Sequence, residues 1–89
     1  MKRVHVTASG QVQGVFFRAS VRDEARRLGL TGWARNTHRG EVQAEFQGED
    51  TAVDRAVAFC RDGPGHAIVT DLRAEPAEPV DGEAGFDVE

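Results

Sequence analysis

Two hydrophobic periods alternate along this chain, and their order is its tightest constraint. Side chains of a strand point alternately to its two faces, whereas those of a helix return every 3–4 residues. From Arg3 to Ser9, Val4, Val6 and Ala8 share one face and His5 and Thr7 the other. Phe17, Val21, Ala25 and Leu28 then recur at helical spacing, with Gly29 placed to end the helix. Thr31–Asn36 is a short strand through Trp33, and His38-Arg39-Gly40 is a turn. Glu41–Gln47 alternates again, with Val42, Ala44 and Phe46 inward. Gly48-Glu49-Asp50 breaks that strand, and Thr51 with Asp54 offers a capping box for a second helix. The stripe of that helix is Val53, Ala56, Val57 and Cys60, and Gly63-Pro64 stops it. Ala67–Ala74 is strand-like with an uneven alternation that predicts a bulge. A Pro/Glu/Gly-rich connection follows to Gly85, and Phe86–Val88 can return as an edge strand.

The resulting order, β-α-β-β-α-β plus a short tail strand, is that of an α+β, ferredoxin-like split β-α-β two-layer sandwich. Right-handed crossovers make the first two strands parallel, with the third between them and antiparallel to both. The loop after strand one and the end of strand two then share one edge of the sheet, roughly 10 Å apart. Residues at those two places, Arg18 and Asn36 among them, can meet over one shallow site.

Eighty-nine residues suffice for one domain, here taken as 1–89. No apolar run approaches the ~20 residues of a membrane span, and the start M-K-R-V-H-V-T-A has no apolar signal core. A cytoplasmic monomer with no membrane partner is expected. A single cysteine, Cys60, can form no internal disulfide, and no His/Cys spacing suits a metal. The net charge of −4 is uneven, +6 over residues 1–40 and −10 over residues 41–89. An acidic chain whose central strand faces outward with Glu41, Gln43, Glu45 and Gln47 does not suit a nucleic-acid backbone. A small anion suits the basic half better.

That half contains G-Q-V-Q-G-V-F-F-R, residues 10–18. A loop entering a helix N-terminus presents unpaired N–H groups, here from Gln13 through Gly14, Val15, Phe16 and Phe17 to Arg18, and can hold a phosphate. Glycine lets the chain turn so that these amides converge. Arg18 in a helix's first turn opposes the dipole, and a bound phosphate reverses that penalty by giving the guanidinium a bidentate partner. Phe16 and Phe17 are expected to pin the loop to the core. On spacing alone the stretch also fits a plain connection with a solvated arginine, and Asn36 fits an ordinary turn residue.

G-Q-V-Q-G-V-F-F-R, followed by G-L-T-G-W-A-R-N, G-E-V-Q-A-E-F-Q-G and the later G-P-G-H-A-I-V, resembles the acylphosphatase family over nearly the whole chain. The resemblance implies an enzyme hydrolysing acyl phosphates, with inorganic phosphate as product and inhibitor. It places the family's essential arginine on Arg18, its water-positioning asparagine on Asn36 and its phosphate loop on Gln13 to Arg18. It implies neither cofactor nor metal. Two positions depart from the pattern. Gln11 replaces a usual basic residue, and Gly65 replaces a common second proline, a change expected to touch a connection's rigidity and not the chemistry.

Such a reaction asks little acid–base help, because a carboxylate is a good leaving group; it needs held phosphoryl oxygens and an in-line water. Asn36 carries both acceptor and donor and can orient water without titrating. Thr37 is a candidate support for Asn36. His5, His38 and His66 read as solvated, Cys60 and Trp33 as packing residues, and Arg35 and Arg39 as strand and turn decoration. The alternative function is a non-catalytic phosphate-binding domain, or a carbamoyl-phosphate-handling domain, of the same fold.

Overall fold

The computed structural model describes residues 1–89. The elements are β1 (Lys2–Gln11), α1 (Phe17–Arg27), β2 (Thr31–Asn36), β3 (Val42–Gly48), α2 (Asp50–Asp62), β4 (Ile68–Pro76) and β5 (Phe86–Val88). They build one five-stranded sheet of order β4-β1-β3-β2-β5. All pairings are antiparallel except β2 with β5. The expected ferredoxin-like sandwich is therefore present, with the tail strand added at the edge beside β2.

Both helices cover one face. Val4, Val6 and Ala8 of β1, Ala34 of β2 and Val42, Ala44 and Phe46 of β3 are buried on it, against Phe17, Val21 and Ala25 of α1 and Val53, Ala56 and Cys60 of α2. Phe86 closes the core from the added strand, its ring stacked on Phe46 at 5.5 Å between centroids. Helix α1 ends in a Schellman motif: Gly29 N–H donates to the Arg26 carbonyl and Leu30 N–H to the Ala25 carbonyl. Cys60 is a core residue, and burial pushes its thiol up to about 12.

Several boundaries differ from the sequence expectation, three of them by more than one residue. Helix α2 begins at Asp50 with Glu49 as its N-cap and no side-chain cap, so Thr51 lies inside the first turn and no Thr51–Asp54 box forms. Strand β4 extends to Pro76, because its backbone keeps pairing with β1 as far as Val4. Strand β1 likewise continues through Gly10 and Gln11, so Gly10 is a strand residue. The predicted bulge is there. The β1–β4 register jumps between Ser9 and Gly10, leaving Thr70 unpaired. A Cβ on Gly10 would lie 2.2 Å from the Ile68 carbonyl oxygen, so only glycine fits opposite the bulge.

The other face carries a polar network. The Arg3 guanidinium is buried and donates to Glu45, Gln47 and Glu83, while Val80 exchanges two hydrogen bonds with the Gln47 side chain. These contacts bind the 77–85 connection to the sheet. Arg3 also holds the Glu83 carboxyl below the usual carboxylate range through its hydrogen bond. His5 is on this outer face as expected, yet it is not simply solvated: its Nδ1 lies 2.7 Å from Glu45 Oε2 and its ring meets the edge of Trp33.

Candidate active site

The loop between β1 and α1 spans Val12 to Phe16. Gly14 and Phe16 both have positive φ, 73° and 62°, and the amide N–H groups from Gln13 through Ala19 donate to no acceptor within the chain. Backbone that doubles back in this way forms a concavity of N–H groups that suits an anion. Helix α1 strengthens it, since its first turn holds no acidic residue and its N-cap supplies no side-chain bond. Arg18 stands in that turn beside the loop, and no Asp or Glu side chain pairs with it. Its Nη1 donates to the main-chain oxygen of Glu89, the residue that follows β5. Arg18, Gly14 and Phe16 together line an open cleft of about 300 Å³.

Two loop residues depart from expectation. Phe17 is buried and pins the loop to the core. Phe16 does not. It is 77% exposed, because its left-handed backbone turns the ring outward. Gln13 contributes its N–H to the concavity, but its side chain is committed elsewhere. Nε2 donates to the carbonyls of Thr37 (3.0 Å) and Glu41 (2.9 Å), tying the loop to the β2–β3 turn.

That turn carries Asn36, the last residue of β2, paired with Val42. Asn36 lines a second cleft of about 500 Å³, with Arg35, Arg39, Glu41 and Arg73 among its neighbours. The topology thus brings Arg18 and Asn36 to one edge of the sheet, and the Gln13 bonds couple their segments, but the two side chains do not share a cleft or a hydrogen bond. Thr37 does not support Asn36. Its hydroxyl accepts the N–H groups of Arg39 and Glu41 and shapes the turn instead. His38, His66 and Arg39 are exposed, while Arg35 stacks on Trp33 and bonds Gln43. No three His, Cys, Asp or Glu side chains converge as a metal site requires.

The departures fall differently. Gln11 is exposed opposite Ile68 and lines neither cleft. Gly65 has φ 67°, which proline cannot adopt, and a Cβ there would lie 3.3 Å from the Val15 carbonyl oxygen. The Gly-Pro-Gly segment therefore packs on the β1–α1 loop.

The Gln13 bonds were invisible in the sequence, and they yield a direct expectation. Gln13→Ala removes two donors from backbone carbonyls that keep one partner each (Gly40 N–H on Thr37, Thr37 N–H on Glu41). The loss should be about 1–3 kcal/mol of unfolding free energy, read from urea denaturation. An unchanged midpoint would mean that the tie is not formed in solution.

The family model for acylphosphatase matches residues 4–88. An acylphosphatase of Rubrobacter xylanophilus is 51% identical over 87 residues, covering 98% of this chain and 79% of that protein. Among solved structures, an acylphosphatase from Coxiella burnetii superposes with a TM-score of 0.91 at 39% identity, covering 99% of this chain and 92% of that one. The crystal structure of acylphosphatase from Bacillus subtilis gives 0.94 at 29% identity, covering 100% and 99%. With the same fold end to end and half of its residues shared with a named member, the chain belongs to the acylphosphatase family.

Proposed function

We propose that this acylphosphatase hydrolyses acyl phosphates at the loop of Gln13 to Arg18, with Arg18 clamping the phosphoryl group and Asn36 orienting the attacking water. The observation that carries the assignment is the run of unpaired N–H groups from Gln13 through Ala19 beside a guanidinium that no Asp or Glu side chain engages. Amides fixed in advance toward the phosphoryl oxygens stabilise their charge without reorganising during the reaction. Arg18 exchanges the Glu89 main-chain oxygen for a phosphate, and its planar fork can take two oxygens at once.

The water then attacks phosphorus in line, the bond from phosphorus to the acyl oxygen breaks, and a carboxylate and inorganic phosphate leave. No carboxylate or imidazole lines the Arg18 cleft. The proton lost by the water passes to a non-bridging phosphoryl oxygen, the acceptor nearest the bond that forms. The exposed amide of Asn36 can hold that water through its carbonyl while its NH₂ faces the phosphoryl group. The acting unit is a monomer free in the cytoplasm, its substrate a small anion; no helix is long and apolar enough to cross a membrane.

Phosphate release from acetyl phosphate and benzoyl phosphate by the purified protein, with excess EDTA present, tests this reading. Hydrolysis should continue at the full rate under chelation, because the residues offer no set of metal ligands. Loss of activity that a divalent cation restores would sink the mechanism. A protein that binds phosphate and cleaves neither compound would be the non-catalytic binding domain.

A further inference from the structure

Phe16 combines two features that are each unfavourable on their own. It is the only non-glycine residue with positive φ, and its ring is 77% exposed to solvent. A bulky side chain at positive φ is strained, and such strain concentrates where function requires it. The ring covers no core residue and braces no loop. It lines the same cleft as Arg18, whose remaining apolar wall comes from Val12, Phe17, Ala19 and Val88. Val88 itself is 37% exposed. Arg22 also faces the cleft, but its guanidinium is engaged by Asp23 at 2.9 Å.

We propose that Phe16 is the platform for the acyl group, so that removing its ring costs aromatic and extended aliphatic acyl phosphates more than acetyl phosphate. The proposal rests on the acyl phosphate reading above. An acyl phosphate is an anion joined to a carbon chain, so a site for it needs a cradle of donors continuous with a place for that chain. The cleft is built in this way, with N–H groups and Arg18 on one side and an exposed ring with aliphatic neighbours on the other. Its volume, about 300 Å³, is at the lower end of small-molecule sites. An aromatic acyl group can lie against the Phe16 ring in an offset or edge-on arrangement, removing apolar surface of both partners from water.

The test compares benzoyl phosphate with acetyl phosphate in wild type, Phe16→Leu and Phe16→Ala. Alanine keeps the Cβ that disfavours a left-handed backbone, so the loop gains less freedom than glycine would give it. The ratio of kcat/KM for benzoyl over acetyl phosphate should fall about tenfold in Phe16→Ala and less in Phe16→Leu, the loss expected for an apolar contact at an open pocket. Phe16 gives its own N–H to the cradle, and the ratio cancels any change there because both substrates share the same phosphoryl group. Phosphate inhibition, measured beside it, reports that change separately. An unchanged ratio overturns the proposal, whether both substrates slow together or neither does.

A measurement on wild type alone gives a second check. Across acetyl, butyryl and hexanoyl phosphate the leaving carboxylates are of nearly equal basicity, and kcat/KM should rise with chain length. A flat series overturns the platform. A wild-type protein that cleaves none of these compounds would sink the acyl phosphate reading and the platform with it, whereas an unchanged ratio in an active enzyme sinks the platform alone.

Discussion

Arg18→Ala is expected to lower acyl phosphate hydrolysis by ~10³-fold or more, the scale associated with arginines that stabilise a phosphoryl group in flight. It should also remove the binding of inorganic phosphate. A ligand held only by the native state raises stability by RT ln(1 + [L]/Kd), about 1.4 kcal/mol at tenfold the dissociation constant. For a domain of this size that is a rise in Tm of roughly 5–10 °C in wild type, and none in the variant. The fold itself should persist, because the only hydrogen bond of the Arg18 side chain is an exposed one to the Glu89 main-chain oxygen. Arg18→Lys should recover little, since an ammonium is a point charge and cannot reproduce the planar fork. If Arg18→Ala keeps the phosphate-dependent rise in Tm, the amides of the loop are sufficient for binding and the clamp is misassigned.

The fold was legible because its information is local and repeated. Val4-Val6-Ala8 and Val42-Ala44-Phe46 state a strand period, and Phe17-Val21-Ala25 and Val53-Ala56-Cys60 state a helical one. Once each element has one apolar face, a single sheet covered by two helices is the arrangement that buries all of them. The same period could not reveal that Arg3 is buried. Its burial depends on Glu83, eighty residues away, folding back over the sheet. Nor could local pattern separate a strand end from a loop at Gly10, where the deciding contact is the Ile68 carbonyl on the neighbouring strand.

The candidate site divides in the same way. Its composition could be read, because glycine, successive amides and an arginine at a helix start are adjacent in sequence. Its conformation could not. Phe16 and Phe17 are neighbours of equal hydropathy, yet one is 2% exposed and the other 77%. What separates them is a backbone torsion, which hydropathy does not encode. Gln13 offers a parallel case: its N–H faces the concavity while its side chain reaches the β2–β3 turn, and only the second depends on the tertiary structure.

Asn36→Ala should divide the roles of the two residues. Asn36 is exposed at the end of β2, and the hydroxyl of its neighbour Thr37 is occupied by the Arg39 and Glu41 N–H groups, so truncation breaks no contact of the fold. Stability should therefore stay within about 0.5 kcal/mol, as for surface substitutions generally. Turnover should nevertheless fall by roughly 10²-fold or more, the cost of losing a hydrogen bond made mainly in the transition state. On the proposed division Asn36 serves the water and not the phosphoryl group, so the inhibition constant for phosphate should remain within a few-fold of wild type. Asn36→Asp makes the argument sharper. It keeps an acceptor for the water and loses the NH₂, and it sets a negative charge toward an anionic substrate, so it should be no better than alanine. These expectations can be checked with initial rates, phosphate inhibition and a melting curve on each variant. If Asn36→Ala weakens phosphate binding as much as Arg18→Ala does while bound substrate still turns over, Asn36 belongs to the cradle. The attacking water would then need another handler, and the turn that Gln13 ties to the loop is where it would have to be sought.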